Sequence, residues 1–259
     1  LYSEYFEKSK ISTFRNEYDL IFARNVIAHT DNINNFLQSL SLIMSTKTIT
    51  IIEFHSLYFF FKKLQYDSVY HEHNFYLSLS FFKKNLNKFG LHAFDVLPGK
   101  IGGGSLAIAI SKKKLKVSKK LNDYYQKEKK LKITNIKSWQ KYSKDVLLHK
   151  KNLYLLVKNF YDQNNNICAY GASARGNTLI KFSQIESFID LIIDNNILKN
   201  GKYYSGTNLK IHKLSRELIK KYDVIILLAW NFKSEILKYL NEINYSGTIV
   251  VPFPKISKI

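Results

Sequence analysis

Residues 167–177 read ICAYGASARGN, and this stretch decides the fold. Four apolar residues of strand length run into Gly171, and small residues then lead to a helix starting at about Asn177. A strand meeting a glycine turn that opens a helix is the geometry in which backbone N–H groups and the helix dipole hold phosphate. The spacing is not that of the GxGxxG dinucleotide fingerprint, because the residues between Gly171 and Gly176 are small but not glycine. Arg175 adds a cation for a charge-assisted contact, and the plainer alternative is a structural βα turn. Either way a parallel sheet is expected. The next strand, 188–193, ends in Asp194, where a ribose-binding acid would stand. Further strands are expected at 224–229 and 248–251, the last closed by Pro252 and Pro254. Strands separated by helix-length spacers imply a small doubly wound sheet.

Upstream, strand and helix signals alternate in the same way. Residues 18–23 (YDLIFA) and 48–54 (TITIIEF) read as buried parallel strands. Between them Thr30 or Asp31 is placed to cap a helix carrying Ile33, Phe36, Leu37 and Leu40. Residues 79–89 read as an amphipathic helix ending at Gly90 in the position a C′ glycine takes. Strands at 93–97 and 105–111, joined through Pro98 and Gly102-Gly103-Gly104, read as an antiparallel hairpin at a sheet edge. Residues 112–151 are rich in lysine but carry Leu115, Leu121, Tyr125, Leu131, Ile136, Trp139 and Tyr142, so they read as helical. The chain opens on Leu1 and runs at once into a helix-like stretch, 2–10, which reads as a cut point rather than a natural start.

Composition narrows the function. The net charge is +20, yet the arginines are only Arg15, Arg24, Arg175 and Arg216. Phosphate-reading surfaces favour the planar guanidinium fork, so the lysines read as a solvated face and coding bias rather than as a nucleic-acid site. No apolar run has the length of a membrane span. Cys168 is the single cysteine, which excludes an internal disulfide or a thiolate zinc site and suits a reducing cytoplasm.

Two further clusters carry chemistry. Tyr70-His71-Glu72-His73 places two imidazoles, a carboxylate and a phenol in four residues. As zinc ligands they are poorly spaced, because i and i+2 point to different faces of a helix. As acid/base machinery they make sense: an imidazole titrates near neutral pH, a carboxylate raises its basicity, and a phenol can hydrogen-bond an oxyanion. A solvated surface loop is the competing reading, and the residues leave His71 and His73 undecided. Gly102-Gly103-Gly104-Ser105 reads first as a permissive turn, and second as a close backbone approach to a ligand.

Seven segments together carry a resemblance: ARNVIAHTDN (23–32), TIIEF (50–54), YHEHNFY (70–76), GGGSL (102–106), AYGASARGNTL (169–179), LLAWNFKSEI (227–236) and VPFP (251–254). In this order the chain resembles the S-adenosylmethionine-dependent sugar C-methyltransferases. The resemblance implies an α/β fold: the C-terminal part of a class I methyltransferase Rossmann-like sheet (1–111), a lysine-rich helical connection (112–158), and a second, smaller Rossmann-like domain (159–259) that binds the substrate's nucleotide. It also implies an upstream region holding the glycine loop for the methyl donor and a zinc-binding domain, neither of which this sequence contains. The implied reaction is methylation of the carbon beside the ketone of a nucleotide-linked keto-deoxysugar. His73 is then the base, with Glu72, Tyr70 and His29 supporting it. Arg24, Asn25 and Val26 are what remains of the S-adenosylmethionine site, and Gly171, Ala172, Arg175, Gly176, Asn177 and Asp194 grip the nucleotide. Many relatives are expected to carry lysine where Arg175 stands. A cytoplasmic monomer with neither nucleic-acid nor membrane partner is expected. A non-catalytic nucleotide-sugar or dinucleotide-binding module is the alternative.

Overall fold

The computed structural model describes Phe6, Ile11 and residues 18–259. The helix-like stretch at 2–10 lies outside them apart from Phe6. The chain divides into two compact units: Leu1–Phe61 with His71–Ser138, and Lys62–Tyr70 with Trp139–Ile259. Segment Lys62–Tyr70 thus belongs with the C-terminal half although the chain on either side of it does not.

The first unit is built on a four-stranded sheet of strands β1 (Leu20–Arg24), β2 (Ile49–His55), β3 (His92–Gly99) and β4 (Ser105–Ser111) in the order β1-β2-β4-β3. β1 and β2 are parallel, whereas β4 runs antiparallel to both β2 and β3. The expected parallel pair finished by an antiparallel hairpin is therefore present, with β3 at the edge and a bulge between Ala93 and Asp95. Helix α1 (Ile33–Ile43) follows β1, and its cap is Asn32, which accepts from Asn34 N and Asn35 N; neither Thr30 nor Asp31 takes that role. Asn32 wins because it alone immediately precedes the first helical residue with an extended backbone. A short helix α2 (Leu57–Lys62) follows β2. The helix expected over 79–89 is α3 (Leu79–Asn85) tightening into a 3-10 turn, Leu86–Phe89, and stopping at Gly90 with φ +67°. Phe36, Leu37, Leu40, Ile52, Phe54, Phe82, Leu106 and Ile108 form the core of this unit.

The lysine-rich stretch becomes two helices, α4 (Lys119–Leu131) and α5 (Ile136–Asp162). Residues 112–118 are not helical, and Leu115 and Ile136, read as part of the apolar stripe, are exposed. The stripe that α5 does bury is Tyr142, Val146, His149, Leu153 and Val157, a 4-3-4-4 spacing that keeps one face inward and leaves the lysines in water. Leu153 and Val157, both fully buried, each contribute about 1.5–3 kcal/mol of hydrophobic free energy.

The second unit holds a six-stranded sheet: β5 (Ile167–Tyr170), β6 (Leu191–Asp194), β7 (Ile211–Lys213), β8 (Val224–Leu227), β9 (Thr248–Val251) and β10 (Ser257–Lys258), ordered β10-β9-β8-β5-β6-β7. β5 to β9 are parallel and β10 is antiparallel. The chain leaves β5 towards β6 and β7 on one side, then returns to lay β8 and β9 on the other. That reversal puts a topological switch point between β5 and β8, where open α/β sheets bind ligands. Helix α6 (Ala174–Ser183) begins three residues before the expected position because Ser173 caps it, its hydroxyl accepting from Gly176 N. Helices α7 (Arg216–Ile219) and α8 (Lys233–Glu242) complete the layers. Strands β7 and β10 had no clear sequence signal: each has three residues or fewer.

Candidate active site and switch-point cavity

In the first unit the carboxyl end of β1 leads to the histidine cluster. Arg24 ends the strand and its Nε lies 3.1 Å from Glu53 Oε2 on the neighbouring strand. Glu53, 7% exposed, also accepts a 2.6 Å hydrogen bond from the Ser105 hydroxyl. Gly99 lacks a side chain where that pair needs the space, since a Cβ there would meet Ser105 Oγ and Glu53 Oε1. Asn25 takes a left-handed φ of +52°, its amide donating to Glu53 O, and among the described residues its carboxamide has no hydrogen-bond partner. Val26 follows with its side chain exposed.

A 3-10 turn, Ile27–His29, then presents His29. The loop 70–76 is tied to this turn by Asn74 N and Phe75 N, which donate to Ala28 O at 2.9 and 3.3 Å. His29 Nδ1 donates to Glu72 O at 2.7 Å, because a carbonyl can only accept. In the neutral ring Nε2 therefore carries the lone pair. The His29 and His73 rings are 5.1 Å apart, and Tyr76 stands edge-on to His73 at 6.2 Å. His71 is exposed, while His73 is half-buried. The two imidazoles that the tertiary structure joins are thus His29 and His73. Tyr76, Asn74 and Glu53 were missed as site residues from sequence, although Tyr76 and Asn74 lay within the quoted YHEHNFY and Glu53 within the quoted TIIEF. Among the described residues no three His, Cys, Asp or Glu groups converge on a metal-binding position.

In the second unit a cavity of about 510 Å³ opens at the switch point, lined by Tyr170, Gly171, Ser173, Asp194, Lys199 and Tyr239 among others. Gly171 has φ +107°, and a Cβ there would stand 2.5 Å from Ala229 Cβ. Its lack of a side chain lets the ends of β5 and β8 approach. Asp194 accepts from Ala172 N at 2.7 Å and Asn196 N at 2.8 Å, and Lys199 Nζ lies 3.3 Å from it. Within the turn, Gly176 N donates to Ser173 Oγ and Asn177 N to Ser173 O. Asn177 Nδ2 donates to Ser205 O, and its buried Oδ1 has no hydrogen-bond partner among the described residues. Gly176 is glycine because a Cβ would meet the Tyr204 hydroxyl at 2.7 Å and Leu228 Cβ at 2.8 Å. Burial raises the Tyr170 phenol above its ordinary value, so it remains a neutral donor. Cys168 is fully buried in β5, which pushes its thiol up and leaves it inert.

Arg175, read from sequence as a phosphate ligand, is engaged elsewhere. Its Nε and Nη2 donate to Asp67 at 3.0 and 2.7 Å. Asp67, 1% exposed, was missed from sequence because nothing local marks it as a partner of a residue 108 positions away.

Residues 100–254 match the model of the C-methyltransferase C-terminal domain. The chain belongs to that family. C-methyltransferase NovU of Streptomyces niveus is 24% identical over 240 residues, covering 91% of this chain and 57% of the relative. The chain thus spans little more than half the length of that relative. In this C-methyltransferase-family chain the family match contains the switch-point cavity and Arg175, while His29 and residues 70–73 lie N-terminal to it. Among the described residues no helix is long and apolar enough to cross a membrane.

Proposed function

We propose that this chain carries the proton-abstraction site and the nucleotide grip of an S-adenosylmethionine-dependent C-methyltransferase whose substrate is a nucleotide-linked keto-deoxysugar. The observation that supports this most is the His29–His73 imidazole pair, its tautomer set by Glu72 O, in a chain of the C-methyltransferase family.

His73 takes the proton from the carbon beside the ketone, and the C–H electron pair moves into the enolate. His29 holds the loop through Glu72 O, with its ring centroid 5.1 Å from that of His73. The Glu72 carboxylate stabilises the imidazolium as it forms, and the Tyr70 phenol donates to the enolate oxygen. S-adenosylmethionine, when bound, would supply an electrophilic methyl group whose sulfonium sulfur leaves as a neutral thioether. Asn25, held in a left-handed conformation, and exposed Val26 fit one edge of a donor site, and Arg24 is steadied there by Glu53. The nucleotide of the substrate occupies the switch-point cavity, with Gly171, Ala172, Gly176 and Asn177 shaping the turn. Asp194 and Lys199 line the cavity as its charged pair.

The test is deuterium exchange beside the ketone of dTDP-4-keto-6-deoxyglucose, a representative keto-deoxysugar nucleotide, in D2O with the full-length protein. His73→Ala is expected to abolish both exchange and methyl transfer while calorimetric donor binding is unchanged. Methylation at the unmodified rate in that variant refutes the base assignment.

A further inference from the structure

Segment Lys62–Tyr70 packs within the second unit, and the way it is held gives Arg175 a role other than ligand binding. Gln65, Tyr66, Asp67 and Ser68 are buried in succession, after which Val69 emerges 50% exposed and the chain runs on into residues 70–73. The Asp67 carboxylate receives the Arg175 fork on both oxygens, and Trp230 Nε1 donates to Oδ2 at 2.8 Å. The guanidinium also lies over the Trp230 ring, 5.0 Å from its centroid. Beside it the Tyr66 ring packs on Phe253 at 5.2 Å, and its hydroxyl meets His149 Nδ1 at 3.0 Å. His149 Nε2 in turn donates to Pro252 O. Residues from AYGASARGNTL, LLAWNFKSEI and VPFP therefore converge on one turn of chain, outside the cavity lining.

We propose that Asp67, clamped by Arg175 and Trp230, is the positioning residue for the acid/base loop, and that Arg175 serves this clamp rather than a phosphate. The inference rests on the reading of residues 70–73 as the acid/base cluster. The lever is short. Only Val69 separates Ser68 from Tyr70, so a fixed Ser68 confines the Tyr70 backbone to within about 7 Å of it. A bidentate carboxylate–guanidinium pair fixes direction as well as distance, which a single lysine contact does not. The indole N–H adds a third donor from a different strand end. Proton abstraction depends steeply on placement, so a clamp at the root of the loop acts on rate through Tyr70 without touching the substrate.

The experiment is amide hydrogen–deuterium exchange by mass spectrometry on the full-length protein, paired with the substrate deuterium-exchange rate. Trp230→Phe and Asp67→Asn are expected to speed amide exchange over residues 69–73 about fivefold more than over β6 and α8 of the same variant. They are expected to slow substrate exchange about tenfold at unaltered KM. Arg175→Lys, which keeps the charge and loses the fork, falls between them and the unmodified protein. Unchanged protection at 69–73, or protection lost evenly across the second unit, overturns the proposal and leaves the triad a stability element only. Should Asp67→Asn fail to fold, Trp230→Phe and Arg175→Lys decide. The amide readout does not depend on the base assignment: full substrate exchange in His73→Ala would remove that assignment and leave the clamp to be judged on amide protection alone.

Discussion

Replacing Asp67 by Asn exchanges one carboxylate oxygen for an NH2 group and should cost the second unit about 3 kcal/mol. The carboxylate is 1% exposed and the Arg175 side chain 14%, so both charges sit largely out of water. Removing one partner of a buried pair generally costs about 3–5 kcal/mol, because the other charge stays buried without compensation. The amide makes matters worse, since three donors converge on two oxygens that Asn reduces to one. The least costly orientation puts the new NH2 at the Oδ1 position, where it opposes Arg175 Nη2 and spares the two donors on Oδ2. Partial exposure of Arg175 admits some water and holds the cost at the low end. Both tryptophans, Trp139 and Trp230, belong to the second unit, so fluorescence during urea unfolding reports that unit alone. With m of about 2 kcal/mol/M, the midpoint should fall by about 1.5 M. Arg175→Met on the Asp67→Asn background should recover about 2 kcal/mol, because the stranded cation is gone. A midpoint shift below about 0.5 M, or additive single and double variants, refutes the clamp as a buried charge pair.

Two further outcomes follow from named groups. Burial lowers the His149 pKa from its ordinary 6.5, so the unfolded chain takes up that proton more readily than the folded one. Stability of the second unit is therefore fully present above pH 6.5 and is lost as pH falls below it, down to the lowered folded value; the urea midpoint at pH 5.5 should lie below that at pH 7.5, and His149→Gln should flatten the difference. Gly171→Ala should cost about 3 kcal/mol, combining a φ of +107° with the 2.5 Å approach to Ala229 Cβ, while Gly201→Ala, at φ +78° in open space, should cost about 1 kcal/mol by the same urea assay.

The strands with apolar runs buried on both faces were legible because such burial demands such runs: β5 and β9 fall on the expected residues and β2 and β8 within two. β1 also falls within two of its expected residues, but it is not the buried strand the sequence suggested, since Leu20 and Phe22 are exposed and none of its residues is buried. The caps were less so. Asn32 competed with Thr30 and Asp31 for one helix start, and all three are good capping residues. The histidines at 71 and 73 could not be told apart either, since one loop carries both. What separates them is that His73 approaches His29, 44 residues back in the chain, through the bonds from Asn74 and Phe75 to Ala28 O.

By itself the sequence determined the α/β class, the two sheets and the family segments, because these rest on local periodicity and residue order. Only the tertiary structure decided what the charged residues do. Arg175 stands in a turn that reads as a phosphate cradle, yet its fork is directed to Asp67, and the amide of Ala172 is held by Asp194. A buried guanidinium bonds whichever carboxylate the fold brings to it, and no local pattern records that carboxylate when it lies 108 residues away.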